Sequence, residues 1–248
     1  MKMNKPKTQN INIMKNLFFL FLAFYTITNG YSQTAIECNE RGLKMMASGD
    51  NTGAIMYFTK SIEIYPNYAN LYANRGYAKY DLQDYIGALS DYNRALELEP
   101  NSDSTYYNKG WTKSFLQDYR GAIAEYSKAI EINPNNSEYY KQRGIAKALL
   151  RDYQGAITDF NKAIKISPHD CFTYQQRGNA KIISKDFNGA ILDFTKVLEI
   201  NPYVKDAYCK RGIAKIKLNK KNGGCLDFST AGELGYEEAY DLIKKYCN

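Results

Sequence analysis

The chain has 248 residues, of which 44% are hydrophobic, 24% are charged and six are proline, a composition typical of a folded globular protein. It contains a single histidine, which removes most metal centres and most histidine-dependent acid–base or nucleophilic schemes from consideration. The formal charge is +7, but residues 1–32 contain four lysines and no acid. The remaining chain carries +3, which is too little to predict binding to nucleic acid or to a membrane surface.

The first 32 residues have the pattern of a secretory signal peptide. Lys15 is followed by an apolar run over residues 17–27, and the small residues Gly30 and Ser32 come directly before the predicted cleavage point. The run is shorter than the roughly 20 residues that span a bilayer, so we expect no stable transmembrane span in the mature chain. An uncleaved anchor is the alternative, and translation could start at Met1 or at Met14. The segment predicts export to the periplasm, the cell envelope or the medium.

From residue 35 onward the sequence repeats with a period of 34 residues. Glycine recurs at this interval at Gly42, Gly76, Gly110, Gly144, Gly178 and Gly212, and proline at Pro66, Pro100, Pro134, Pro168 and Pro202. The period defines six units, residues 35–68, 69–102, 103–136, 137–170, 171–204 and 205–238. Position 24 of every unit is aromatic, at Phe58, Tyr92, Tyr126, Phe160, Phe194 and Phe228. Columns of different residue types that share one period predict a repeat architecture.

Each unit has the pattern of two amphipathic helices. In the second unit, Tyr72 and Gly76 share one face of a first helix, and Ala88 and Tyr92 share one face of a second helix. The small residues allow the two helices to approach closely, and the proline at position 32 ends the second helix. One hairpin cannot bury its own apolar faces, so neighbouring units must stack.

These columns resemble the tetratricopeptide repeat family over residues 35–238. The resemblance implies an all-α fold, a right-handed superhelical solenoid of antiparallel helix pairs with six repeats and a capping helix over residues 237–248. The closing segment is similar to the endings of exported repeat proteins of Bacteroidetes-type bacteria.

Basic residues recur on the first helix of each repeat, at positions 7 and 11. Position 11 is lysine in repeats two to six, and the same five repeats have an acid at position 23 of the second helix. Repeat one has Met45 and Tyr57 at positions 11 and 23. Ion pairing within each repeat explains why the two features occur together, whereas a cationic strip for an acidic ligand is the alternative.

Members of the resembled family bind ligands in a concave groove lined by the first helices, and here those positions differ between repeats. The candidate groove residues are Asn74, Tyr77, Tyr80, Tyr107, Asn108, Trp111, Phe115, Lys141, Phe172, Gln175 and Asn179. Aromatic rings supply contact area and amides can bond a peptide backbone, although some of these rings could instead pack between repeats. Lys141 is followed by Ile145 where the two-carboxylate clamp of some relatives requires asparagine, so binding of chaperone C-termini is not predicted.

The five cysteines show no Cys-x-x-Cys pair and no zinc spacing. Cys225 occupies position 21, which faces the next helix along the chain, and alignment of the tail on a first helix places Cys247 opposite it. We therefore predict a Cys225–Cys247 disulfide that fixes the terminal cap, with two buried free thiols as the alternative.

No catalytic constellation or glycine-rich phosphate loop is present in the sequence. We therefore predict a non-catalytic scaffold or adaptor without cofactor or metal, whose partner is a protein or a peptide and not nucleic acid. A glycan- or lipid-binding module of the cell envelope that uses the aromatic groove is the alternative. The identity of the partner and the oligomeric state do not follow from the sequence.

Overall fold

The computed structural model describes residues 34–247, and every regular element in that range is an α-helix. The predicted signal segment lies outside the described residues. The chain divides into two compact units, one ending at Pro100 and the other beginning at Asn101. The prediction of an all-α chain built from successive helix pairs is confirmed. Within residues 34–247, no helix combines the length and the apolar character that crossing a membrane requires.

Over residues 34–100, the first unit contains four helices. They are α1 (34–47), α2 (Asn51–Ile64), α3 (Ala69–Asp81) and α4 (Tyr85–Leu98). Helix α3 packs against both α2 and α4. Phe58, Leu71 and Tyr72 form the buried core of this unit with smaller side chains between them.

The second unit contains the remaining nine helices of the described chain. They are α5 (Asp103–Phe115), α6 (Tyr119–Ile132), α7 (Ser137–Leu149), α8 (Tyr153–Ile166), α9 (Cys171–Ile183), α10 (Phe187–Ile200), α11 (Lys205–Lys217), α12 (Lys221–Glu233) and α13 (Glu238–Tyr246). Consecutive helices pack on one another throughout. The first helix of each repeat, here termed an A helix, is odd-numbered, and the second is a B helix. In addition, α7 contacts α5 and α9, and α9 contacts α11, so these four A helices lie side by side in chain order.

The glycine at position 8 and the aromatic ring at position 24 are packed together within each repeat. In repeat four, a Cβ atom added to Gly144 would lie 2.7 Å from a ring carbon of Phe160, well inside van der Waals contact. Phe160 is fully buried. The two columns therefore form one structural feature, because the missing side chain on the A helix leaves the space that the ring fills.

The turn between the A and B helices is closed by an aspartate at position 16. In repeat four, the Asp152 side chain caps α8 by accepting a hydrogen bond of 2.9 Å from the backbone N–H of Gly155. The preceding residue, Arg151, has a φ of 65°, in the left-handed region. A Cβ atom on Gly155 would lie 2.1 Å from the Asp152 carboxylate, so the capping aspartate requires the glycine. The same cap occurs on α2, α4, α6 and α10.

The basic and acidic columns form ion pairs within repeats two to six, as the sequence predicts. In repeat four, Arg143 and Lys147 on α7 lie 2.7 Å from opposite carboxylate oxygens of Asp159 on α8. Equivalent pairs are centred on Asp91, Glu125, Asp193 and Asp227. The Asp159 side chain is only 3% exposed, so the value of about 0.5 kcal/mol that is typical of an exposed pair does not apply to these buried acids.

The arginine at position 7 also joins one repeat to the next. Arg143 donates to the hydroxyl of Ser127 on the preceding B helix at 3.0 Å, and its guanidinium lies 5.7 Å from the ring centre of Tyr140. Arg75, Arg177 and Arg211 donate in the same way to Thr59, Asn161 and Thr195. The cationic column therefore holds helices together, and its charge is used inside the fold.

Helix α13 closes the end of the second unit. Its Ala239 is buried against Phe228 and Ala231 of α12, and Tyr246 packs at the edge of this cluster. The structure joins Cys225 and Cys247 in a disulfide with a Cα–Cα distance of 5.8 Å, the pairing proposed from the sequence. Cys38, Cys171 and Cys209 are free thiols.

Candidate functional site

Three consecutive A helices of the second unit present apolar side chains to solvent from their last turns. Phe115 on α5, Leu149 on α7 and Ile183 on α9 occupy position 13 of their repeats, and their exposed fractions are 54%, 55% and 54%. Because the three helices lie side by side, these side chains follow one another across one face. We term these three residues the apolar row.

A pocket of about 320 Å³ opens at one end of the apolar row, between α5 and α7. Its apolar wall is formed by Trp111, Phe115, Ile145 and Leu149, and Gln117 and Gln142 add amide groups to the lining. Trp111 and Phe115 lie one turn apart on α5, with ring centres separated by 6.0 Å. We term this space the anchor pocket.

Among the candidate groove residues, Tyr107 packs against other aromatic rings of the array. Its ring centre lies 5.9 Å from that of Tyr126 and 5.3 Å from that of Tyr139, and Tyr139 is buried. The Tyr139 hydroxyl donates to the Asp103 carboxylate at 2.9 Å, which also accepts from the Asn133 amide. Tyr107 therefore packs between repeats three and four.

Asn74, Tyr77 and Tyr80 belong to α3 in the first unit. Tyr77 is 41% exposed, and its ring centre lies 6.5 Å from that of Tyr80. The Tyr80 ring also packs against Tyr85 of the following B helix, 5.5 Å away. Asn74 is half-buried on the same helix. Tyr77 is therefore the exposed tyrosine of this helix, and the Tyr80 ring packs within the A–B hairpin.

Lys141 is held by two acids rather than left available to a ligand. Its Nζ atom lies 2.6 Å from Glu138 and 3.3 Å from Asp170, which is the N-cap residue of α9. Burial alone would lower the pKa of Lys141, but the hydrogen bond and charge of Glu138 and the charge of Asp170 raise it above its ordinary value. Lys141 therefore remains protonated and links α7 to α9.

The candidates on α9 have mixed environments. Phe172 is 47% exposed and lies 5.9 Å from the Lys141 ammonium group. Gln175 donates to the Asp206 carboxylate on α11 at 2.8 Å, so its amide connects two repeats. Asn179, like Asn108 on α5, is half-buried. Of this group, Phe172 offers the most open apolar surface.

The anchor pocket also contains three residues that were not predicted from the sequence, Gln117, Tyr119 and Gln142. Gln117 and Tyr119 belong to the A–B turn and the start of α6, outside the positions expected to line a groove. Gln117 could have been found from the register, because position 15 lies two residues after the apolar row and differs between repeats. An apolar wall with amides beside it suits an apolar side chain attached to a hydrogen-bonding backbone.

Sequence models described as tetratricopeptide repeat match residues 69–102, 103–136, 137–170 and 173–203, which together make up more than half of the chain. The first three ranges coincide with three of the units defined by the 34-residue period. No curated protein sequence gives a significant match.

Many solved structures resemble the chain. A protein described as YrrB, a tetratricopeptide repeat protein with an unusual peptide-binding site, is 22% identical with a TM-score of 0.69, over 75% of this chain and 97% of that one. The C-terminal part of a repeat protein from Cytophaga hutchinsonii is 20% identical with a TM-score of 0.74, over 83% and 86%. Pseudomonas aeruginosa PilF is 14% identical with a TM-score of 0.71, over 87% and 99%. At these identities the resemblance concerns the fold.

Proposed function

The chain belongs to the tetratricopeptide repeat family, and we propose on this basis that it is a non-catalytic scaffold that binds a peptide or protein segment on the A-helix face of its second unit. Repeat arrays of this kind present side chains from successive repeats along an extended surface. The partner would lie across several A helices rather than in one closed cavity.

The observation that carries the proposal is the apolar row beside the anchor pocket. Phe115, Leu149 and Ile183 are large apolar side chains, and each remains about half exposed although neighbouring core positions are fully buried. Contiguous apolar surface rimmed by polar groups marks interaction sites in soluble proteins. Trp111 next to Phe115 supplies the type of rigid aromatic contact that dominates binding energy at such sites.

A peptide ligand has further support from the comparisons. One similar structure is described as having an unusual peptide-binding site, and it matches three quarters of this chain. The Gln117 amide in the anchor pocket offers both donors and an acceptor to a peptide backbone. The Gln142 nitrogen donates to Glu138 at 2.7 Å, and its carbonyl oxygen can accept.

Selection of a displayed random-peptide library on the purified protein tests the proposal. Peptides selected on the wild type should bind the Trp111→Ala/Leu149→Ala variant at least about tenfold more weakly, since buried anchors each contribute about 1–2 kcal/mol or more. The control is Leu192→Ala, which removes a 70% exposed apolar side chain from the B helix α10. Its affinity should remain within about twofold of the wild type.

The proposal is wrong if no peptide is selected, or if peptide affinity falls equally in the Trp111→Ala/Leu149→Ala variant and in the Leu192→Ala control. The alternative of an envelope glycan or lipid ligand is separated in the same assay. Binding of purified peptidoglycan fragments or anionic lipid vesicles that depends on Trp111, without any peptide binding, would favour the alternative.

We also propose that the chain is exported. The basic-then-apolar pattern of residues 1–32 supports this, and so does the Cys225–Cys247 disulfide, since such bonds persist in oxidising compartments. Intact-mass measurement of the protein recovered from the envelope fraction should give a chain that begins at Gln33. Recovery of the full-length chain from the cytosol would contradict export.

A further inference from the structure

We infer that the segment bound by the second unit is acidic as well as apolar, with Asp or Glu side chains placed over Arg151, Lys185 and Lys217. We term these three residues the cationic edge. The inference rests on the proposed function and specifies the chemistry of its partner.

Two members of the cationic edge lie close in sequence to members of the apolar row. Arg151 and Lys185 occupy position 15, two residues after Leu149 and Ile183, and both are exposed in the A–B turns. Gln117, the equivalent residue of repeat three, contributes to the anchor pocket. A side chain at position 15 therefore stands beside the bound segment, and in repeats four and five that side chain carries a positive charge.

The third member continues the apolar row itself. Lys217 occupies position 13 on α11, where the three preceding repeats have Phe115, Leu149 and Ile183, and it is exposed. Since α9 contacts α11, the column passes from three apolar side chains to one ammonium group. A partner that follows the column thus needs apolar groups over α5, α7 and α9, and a negative group over α11.

The charges of the cationic edge are not used within the fold. No ion pair formed among residues 34–247 includes Arg151, Lys185 or Lys217, whereas the basic residues at positions 7 and 11 of repeats two to six contact buried acids. Asp152 and Asp186 follow Arg151 and Lys185 in the sequence, and each accepts a hydrogen bond from a backbone N–H of the B helix that it caps. Lys220 replaces the capping aspartate in repeat six, so positive charge increases toward α12.

The dimensions of this surface match a short segment. Packed helices lie about 8–10 Å apart, so the span from α5 to α11 is roughly 24–30 Å. An extended chain advances about 3.3 Å per residue, which makes the bound segment about eight or nine residues long. Acids on such a segment would accelerate association and make affinity dependent on salt.

The test uses the same displayed peptide library on two variants of matched charge. Arg151→Glu/Lys185→Glu reverses two of the three charges of the cationic edge, and Lys162→Glu/Lys165→Glu reverses two exposed cations on the B helix α8. Peptides selected on the wild type should be enriched in Asp and Glu around apolar residues. Their affinity should fall at least about tenfold in the edge variant and within about twofold in the control, with circular dichroism unchanged in both.

The outcomes separate this inference from the proposed function. Peptides that require Trp111 and Leu149 but show no acidic enrichment, or that bind the edge variant normally, would overturn the inference and leave the proposed function intact. Absence of any selected peptide would overturn both. Equal loss in the edge and control variants would show a general effect of net charge, and would also overturn the inference.

Discussion

At the scale of single residues, the repeat is held together by a buried acid shared between two cations. Asp159 accepts from both Arg143 nitrogens that face it and contacts Lys147, while Arg143 also reaches Ser127 of the preceding repeat. Three helices therefore depend on one carboxylate. The acid is buried and the cations are partly exposed, so loss of the acid leaves two positive charges close together without their partner.

Asp159→Ala should lower the free energy of unfolding by about 3 kcal/mol, as expected when one partner of a buried pair is removed. Glu131→Ala is the control, because Glu131 forms an exposed pair with Lys128 and should contribute less than about 0.5 kcal/mol. Urea unfolding followed by circular dichroism measures both. Peptide affinity should be nearly unchanged in folded Asp159→Ala, and equal destabilisation of the two variants would refute a structural role for the column.

Repeat six offers a substitution that should increase stability. Lys220 stands at the N-cap of α12 with no side-chain cap, whereas five other B helices are capped by aspartate. Lys220→Asp should add about 1 kcal/mol, since Gly223 leaves room for the carboxylate. Lys220→Ala removes the charge without adding a cap and should gain clearly less. Equal urea midpoints for the two variants would contradict the capping account.

The Asp103 network predicts a specific pH dependence. Burial would raise the pKa of Asp103, but hydrogen bonds from Asn133 and Tyr139 lower it below its ordinary value. The carboxylate therefore stabilises the fold above its unfolded-state pKa of about 3.9, and this stabilisation disappears as pH falls through the lower folded value. The stability gap between wild type and Asp103→Asn, measured by urea unfolding, should be largest near pH 7 and should narrow below about pH 4.

Asp241→Asn, which changes an exposed side chain on α13, is the control for the substitution itself. Its free energy of unfolding at pH 7 should stay close to that of the wild type. A gap for Asp103→Asn that stays constant down to pH 3 would show that the network does not depend on ionisation.

The ion pairs within the repeats could be predicted from the sequence, because their charged residues recur at fixed positions of the repeat. Lys147 and Asp159 recur with their equivalents every 34 residues in repeats two to six, and the joint absence of both columns from repeat one indicated the pairing. The burial of Asp159 could not be predicted in this way, because a charge column has the same pattern on an exposed face as in a seam between helices. The link from Arg143 to Ser127 was also missed, since position 25 varies among serine, threonine and asparagine.

At the scale of elements, the terminal helix α13 is held in place differently from the helices inside the array. An internal helix is packed by neighbours on both sides, but α13 packs on α12 and is followed by no further helix within residues 34–247. Burial of Ala239 and the bond between Cys225 and Cys247 hold it in place. The disulfide closes a sequence separation of 22 residues.

Cys247→Ser should loosen α13 and leave the remaining helices folded. Closing a loop of about this length stabilises a fold by about 3 kcal/mol in the chain-entropy description, so amide exchange should rise over residues 236–247. Cys225→Ser and the double variant should behave alike, since either change removes the same bond. Cys38→Ser, which alters a free thiol in the first unit, should leave exchange in α13 unchanged.

A rise in exchange spread evenly over the whole second unit would contradict a local role for this disulfide. The pairing itself was accessible from sequence, because Cys225 replaces the isoleucine or leucine that other repeats place against the next helix. An aspartate likewise recurs in the sequence at Asp152 and its equivalents. Its role as a helix cap depends on the left-handed turn at Arg151.

At the scale of the whole molecule, the two units carry different surfaces. The first unit presents Tyr77 on α3, and the second presents the apolar row, the anchor pocket and the cationic edge. The repeat period predicted the A-helix faces from sequence, because scaffold columns agree between repeats and surface columns do not. The repeat period could not show that Tyr107 packs between repeats while Phe115 is exposed, since an aromatic side chain at either position fits the pattern. Packing against Tyr126 and Tyr139 places the half-buried Tyr107 between repeats three and four.

Photo-crosslinking in the producing cell tests most directly whether the apolar row meets a partner. A photoreactive phenylalanine analogue is placed at residue 149 in the apolar row or, as the control, at residue 192 on the outer surface of α10. We expect a discrete crosslinked protein or peptide product from residue 149, which disappears when Trp111 is changed to alanine, and little product from residue 192. No product from residue 149, or equal products from both positions, would contradict it.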